Sequence, residues 1–390
     1  MSVILPAERT TATDRVTGAT IHRLTWAIGH SHHLYFTAEG LRSDGRRLLI
    51  ASERLGGNDL WSVDLVDGTL RQLTPQLTMP SGHSHHSSIP NPVRDEVYLW
   101  RGREVVAVDL ASGISRPLWT CPDGFQESIL GCTADGRAVL TSISEDLSLR
   151  LNTERGVAYQ GYGDWFRAKP LSRVVEIPVD GGTARILHEE HYWLGHVNAS
   201  PTQANLVTFC HEGPWHQVES RIWGLDRTTG KVWPITPYDG VAAIGHEYWL
   251  RDGKRIGWHA RHAGDDRRHF VGFVDHDGSN REQYEVDVPT QHAHANTPDL
   301  VVGDGTRSSG DWLLLWQRQG AGFAPARLLC HHGTSRHHHR AHAHPHLMPD
   351  GKSVVFTSDA TGYCQVHIAE IPADLSNLPT WRPAERFYWM

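Results

Sequence analysis

The run HHHRAHAHPH at residues 337–346 concentrates potential ligands in one short stretch. Neutral imidazole nitrogens are the commonest protein donors to divalent transition metals. Alternate residues of a strand share a face, so His342 and His344 are expected to point together at one ion. His339 stands just ahead of that strand, in a loop able to fold back towards the pair. A second HxH pair, His292 and His294, occurs in TQHAHANTPD and, like the first, precedes a Pro-Asp turn. On corresponding strands of neighbouring repeats the two pairs would converge, and three or four imidazoles around one ion is ordinary metal-site chemistry. The HHH of 337–339 taken alone would fit a solvated loop equally well.

Further histidines recur ahead of similar turns. They are His32 in GHSHHLYF, His83, His85 and His86 in SGHSHHSSIP, His196 in YWLGHVNASP and His246 in IGHEYWLRDG. Any one of them alone reads as a satisfied core histidine. A ring of them has no stability rationale, because a buried imidazole without partners costs free energy. The stretch FCHEGPWHQVESRIW at 209–223 is dense in polar and aromatic side chains. Arg221, at the start of its SRIW strand, either directs a fixed guanidinium at a carboxylate or caps a surface strand end. Glu212 reads as a carboxylate that orients a histidine rather than as a catalytic acid. No Gly-rich phosphate loop follows a strand, no GxSxG elbow occurs, and GDG at 303–305 reads as a turn.

What positions these residues is a repeat of about 45 residues, the period of a four-stranded propeller blade. Each copy has a turn, a β-branched run, an alternating strand and a short last strand. Successive copies begin LRSDGRRLLIAS, IPNPVRDEVYLW, GCTADGRAVLTS, ASPTQANLVTFC, WLRDGKRIGWHA, ANTPDLVVGDG and LMPDGKSVVFTS. The seventh lacks its last strand, and an orphan strand of that character, TIHRLTW, lies within residues 18–26. The fold expected is all-β: one seven-bladed β-propeller over residues 1–390, closed by the N-terminal strand completing the last blade, which removes free sheet edges. Residues 149–170 form an insertion in the third copy, too long for a hairpin, expected as a loop or short helix over one face. Two β-sandwiches would explain neither the spacing nor the N-terminal strand.

Composition limits the partners. Hydrophobic residues make up 39% and charged residues 21%, which suits a packed core. A net charge of -7 argues against general binding to nucleic acid or membrane surfaces, though not against a local basic patch. Fifteen Trp and 28 His are both in excess, as sugar-binding surfaces and metal chemistry would require. Five scattered cysteines with no CxxC, and an N-terminus without a secretory pattern, predict reduced thiols in a cytoplasmic protein.

Several segments, in order along nearly the whole chain, resemble the oligogalacturonate lyases, seven-bladed propellers of bacterial pectin degradation. They are WLGH (193–196), FCHEGP (209–214), SRIW, HEYWLRDG (246–253), VGDG (302–305) and HAHP followed by PDGKSVVFTSD (349–359). The resemblance implies a divalent metal of the manganese type; imidazole ligands suit zinc, nickel and iron as well. It implies His342 and His344 as ligands, with a histidine of the preceding blade: His294 is preferred because HAN parallels the HVN at His196, with His292 as alternate. The family's glutamine ligand is replaced here by His339, which makes the cage richer in nitrogen. His246 corresponds to the family's base and Arg221 to its catalytic arginine; His196 and His211, with Arg221, are expected to contact substrate. The reaction implied is β-elimination on an acidic oligosaccharide, by a monomer or weak homodimer. Another uronate substrate, a metal-dependent hydrolase or isomerase, and a non-catalytic TolB-like scaffold are the alternatives.

Overall fold

The middle strands are nearly continuous apolar runs, such as Leu48–Leu49–Ile50–Ala51, all essentially inaccessible. Such runs are required when both faces of a sheet are covered, and here each sheet packs between two neighbours. The computed structural model describes residues 2–75, 84–151, 161–265 and 267–383. Seven antiparallel sheets follow one another along the chain, each beginning with an inner strand and stepping outwards. The chain is a seven-bladed β-propeller. The inner strands are Ser31–His33, Ile89–Pro90, Phe125–Cys132, Leu194–Ala199, Ala242–Trp249, Ala293–His294 and His346–Leu347 for blades 1 to 7.

The ring closes through the N-terminus. Thr20–Arg23 pairs antiparallel with Gln365–Glu370, Ile21 opposite Ala369, as the fourth strand of blade 7. The strand is shorter than the 18–26 span expected; Trp26 lies beyond it, exposed, with the Arg23 guanidinium over its ring. Two further strands were not foreseen. Thr10–Thr13 adds a fifth strand to blade 7, and Ile4–Leu5 pairs with Leu70–Gln72 at the rim of blade 1. The N-terminal segment thus stitches the last blade to the first.

Part of the 149–170 insertion is the short helix Tyr162–Ala168, with Trp165 buried against Trp193. Residues 152–160, and His83 among the mouth histidines, lie outside the described residues. Among the described residues no helix is long and apolar enough to cross a membrane.

Strand alternation is not what aims His342 and His344. His339–Ala341 is a single 3-10 turn, His342 and His344 lie in the irregular segment after it, and the strand begins only at His346. Their convergence comes from backbone bends rather than from strand alternation. His344 has φ 45°, in the left-handed region for a residue with a Cβ, a conformation that costs about 1–3 kcal/mol and persists only where surroundings enforce it. The enforcement is visible: His33 Nε2–H donates to the His344 carbonyl at 2.8 Å, and the Thr357 amide donates to the Ala343 carbonyl at 3.1 Å.

Candidate active site

Two inner strands carry a Gly-His dipeptide inside a β-bulge, Gly195-His196 in blade 4 and Gly245-His246 in blade 5. Bulges re-aim side chains, and His196 takes φ 46° here. The glycines are there for close approach. A Cβ on Gly195 would stand 2.6 Å from Glu212 Oε1, and one on Gly245 would stand 2.6 Å from the Trp215 ring. The two imidazoles face each other with centroids 5.5 Å apart.

Beside His246, at 4.8 Å between centroids, lies His292. His292, His342 and His344 each offer a ring nitrogen within 4.8 Å of the others. Both nitrogens of His344 and Nδ1 of His342 are buried without hydrogen-bond partners among the described residues. His292 Nδ1 bonds Asp304 Oδ2 at 2.7 Å, so Nδ1 carries the proton and Nε2 keeps its lone pair. A carboxylate behind a histidine is the usual outer partner of a metal ligand. Asp304 is fully buried, and three hydrogen bonds from Gln291 N, His292 N and Thr290 Oγ1 fix it as well. This donor set suits a divalent transition metal.

The preference for His294 over His292 is corrected. His294 Nδ1 accepts the Leu347 amide proton at 3.1 Å, which leaves the ring's own proton on Nε2 and no lone pair for an ion. Its ring stacks on His346 at 4.0 Å, turned from the cage. His339 is adjacent to the cage but outside the tight group: it lies 4.8 Å from His344 by centroids, open to solvent, with Nδ1 3.1 Å from His86 Nδ1. His32 and His86 are close by, centroids 4.6 Å apart, while His85 turns away to the Asn58 carbonyl.

His246 Nδ1 lies 2.9 Å from the Gln291 carbonyl and 3.2 Å from His259 Nε2. A carbonyl only accepts, so Nδ1 donates and Nε2 keeps a free lone pair. Burial, reinforced by His292, His259 and His196, holds His246 well below the ordinary histidine range, hence neutral. Arg221 is buried between two carboxylates, Nη1 to Glu212 at 2.8 Å and Nε to Glu247 at 3.2 Å. Burial opposes the Glu212 charge, yet Arg221, His196 and the Tyr162 hydroxyl outweigh it and bring its pKa down to about 2. His196 lies 3.5 Å from Glu212 and 3.9 Å from Glu247.

His211 does not reach this site. Its nitrogens are taken by Glu219 at 2.7 Å and Glu190 at 3.0 Å, and its ring stacks on Tyr192 at 3.8 Å. A histidine bound at both ends has nothing left for a sugar.

Several residues escaped the sequence reading. Tyr35 lies against His86, His196, His339 and His344, and Phe36 against His246, His292 and His344. Their signal was position: LYF directly follows the histidines of the first inner strand. Asp304, read as part of a turn, orients His292. Glu247, next to the base, holds Arg221.

A family model described as "oligogalacturonate lyase" matches residues 4–313. The chain belongs to the oligogalacturonate lyase family. It is 24% identical to the oligogalacturonide lyase of Pectobacterium atrosepticum, over 96% of this chain and 98% of that protein. It is 25% identical to the oligogalacturonate lyase of Dickeya dadantii, over 92% and 95% of the two chains. In fold it matches a solved oligogalacturonate lyase in complex with manganese, with TM-score 0.84, 22% identity and 96% and 99% coverage. The oligogalacturonate lyase of Vibrio parahaemolyticus gives the same TM-score, 0.84, at 21% identity and 95% and 99% coverage.

Proposed function

We propose that this chain is a metal-dependent lyase that cleaves short oligogalacturonides by β-elimination, leaving 4,5-unsaturated products. The observation that carries it is adjacency: a neutral histidine with a free Nε2, His246, stands 4.8 Å by centroids from a ligand of the cage, His292. In a uronate the C5 proton is one carbon from the carboxylate. A base that removes it must therefore sit beside whatever holds the carboxylate.

His292, His342 and His344 would hold the ion, with His339 on the open side as a fourth donor. Bound there, it would neutralise the substrate carboxylate and make the neighbouring C5–H more acidic. Manganese is the first ion to test, since a relative of the same fold was solved with it; the imidazole set also suits zinc, nickel and iron. His246 takes the C5 proton on Nε2, a role worth about 10²–10⁴-fold in rate. Arg221 is held rigid by Glu212 and Glu247, and its Nη2 makes no hydrogen bond among the described residues. That nitrogen is free to meet charge developing on the substrate. His196 narrows the mouth opposite His246. All these side chains come from one chain, so a monomer suffices. Five unpaired cysteines suit the reducing cytoplasm.

Incubation of the protein with manganese and digalacturonate should produce the ultraviolet absorbance of an unsaturated uronide, and His246→Ala should abolish it. No absorbance with digalacturonate or any other uronate oligomer would sink the proposal.

A further inference from the structure

One arginine beside the site has no counter-charge among the described residues. Arg261 is exposed and makes neither hydrogen bond nor ion pair among the described residues, while Arg267 and Arg268 along the same rim are neutralised by Asp265 and Glu285. Its guanidinium lies 5.5 Å from the centroid of the Trp215 ring. Trp215 in turn stands 6.2 Å from His246 and 5.6 Å from His259. The order is fixed by the backbone. His259 and Arg261 are two residues apart on the strand Arg255–His262 and so share a face, about 7 Å apart along it. His259 contacts the base, with Nε2 3.2 Å from His246 Nδ1. The missing Cβ of Gly245, beside the base, is what lets Trp215 lie against the inner strand. A stepped line of His246, Trp215 and Arg261 thus leads to an open cleft of about 670 Å³, lined by Arg261 with His216, His262 and the paired Asp265 and Arg267.

We infer that Trp215 and Arg261 form a second uronate subsite, which binds the ring next to the one whose C5 proton His246 removes. This rests on the lyase reading for the identity of the chain. An indole face offers a flat apolar platform with a polar edge, which suits the C–H face of a pyranose. A free guanidinium is the side chain best matched to a carboxylate, which it grips through two parallel hydrogen bonds. An uncompensated cation at that distance selects an acidic neighbouring sugar over a neutral one. Specificity for a uronide chain then comes from two places: the cage reads the carboxylate that reacts, and Arg261 reads the next.

The test is Arg261→Gln in the metal-loaded enzyme, on digalacturonate and on the dimer whose non-reacting ring is a methyl ester. Since a hydrogen bond to a charged group is worth about 1.5–3 kcal/mol, KM for the diacid should rise about 10- to 100-fold with kcat little changed. KM for the monoester should not move, and Arg261→Lys should restore part of the loss. An unchanged KM for the diacid overturns the subsite and leaves the lyase reading standing. If the wild-type chain forms no unsaturated product, the lyase reading falls, and calorimetry with digalacturonate decides the subsite alone. Weaker binding by Arg261→Gln in a His246→Ala background supports it; equal binding overturns it.

Discussion

The two sides of the mouth are built on opposite electrostatic plans. On the side of blades 6 and 7, both nitrogens of His344 and Nδ1 of His342 are buried and unpaired among the described residues, and of the three ligands only His292 has an anchor, Asp304. On the side of blades 4 and 5, Arg221 lies between Glu212 and Glu247, and Tyr162 caps Glu212. An unpaired buried imidazole is a cost that a ligand removes. A buried charge already paired is at its minimum, and breaking it exposes the remaining partner. The first side is therefore incomplete without an ion, whereas on the second the buried guanidinium already has its counter-charges. Mutations on the two sides should fail in different ways, one by losing affinity and the other by losing stability.

The largest effect is expected on the saturated side. Arg221→Met strands two buried carboxylates and should destabilise the fold by about 3–5 kcal/mol, read as a lower urea midpoint, with metal content per folded chain unchanged. A loss below about 1 kcal/mol, the range of an exposed pair, would break the contrast. On the open side His344→Ala and His292→Ala should lower metal affinity by more than about 100-fold, beyond the usual penalty for an outer partner; ion-free His344→Ala should melt no earlier, whereas ion-free His292→Ala strands the buried Asp304 and should melt earlier. Asp304→Asn should cost about 10- to 100-fold in the same assay. His294→Ala should keep its ion. Metal content after exhaustive dialysis reads all four, and a depleted His294→Ala would return His294 to the cage.

His294 also shows where the sequence stopped being informative. The seven-copy repeat was legible because each blade must repeat the same burial pattern, and the unfinished last copy pointed to an N-terminal strand. Convergence of two histidine clusters followed from their equivalent places in adjacent copies. Which member of HAHAN enters the cage did not follow. His294 and His346 both occupy short inner strands, and His292 and His344 precede them, but the spacing to the Pro-Asp turn differs by one residue between the copies. A one-residue slip turns a side chain to the opposite face. His211 misled for a related reason: it neighbours Glu212 in sequence, yet the strand sends it towards Glu190 and Glu219. Asp304 was hidden because a buried carboxylate and a turn carboxylate read alike.

Acid should take the two plans apart in order. Burial keeps His259 neutral down to about 3 and His367 to about 4, whereas the unfolded chain protonates both near the ordinary value of 6.5. Below pH 6.5 the unfolded state binds more protons, so stability falls as pH drops, by up to about 1.4 kcal/mol per pH unit for each such group. Glu212 has its pKa depressed from 4.5 to about 2, so its contribution is intact above pH 4.5 and is lost only on approaching pH 2. Urea midpoints between pH 7.5 and 5 should fall in the wild type, less steeply in His367→Gln, and with unchanged slope in Glu212→Gln. A flattened slope in Glu212→Gln would mean that the ion network, not the histidines, senses acid in this window.

The smallest effect concerns the insertion of blade 3. The Tyr162 hydroxyl donates to Glu212 Oε2 at 2.8 Å, and Arg221 Nη1 donates to the same oxygen at 2.8 Å. The Gly213 amide donates to that hydroxyl at 3.3 Å. Tyr162→Phe removes the hydroxyl and keeps the ring against Trp193. Glu212 retains Arg221, so the loss should be about 1 kcal/mol, near a single hydrogen bond rather than a stranded charge. The same reasoning separates the kinetic constants. Arg221 keeps Glu247 as its second anchor, so kcat should hold, while slight freedom at Glu212 raises KM a few-fold. A Tyr162→Phe enzyme whose kcat falls as far as that of Arg221→Met would show that the insertion sets the guanidinium's position. The saturated side would then depend on a segment outside the repeat, and its completeness would be a property of the helix Tyr162–Ala168 rather than of blades 4 and 5.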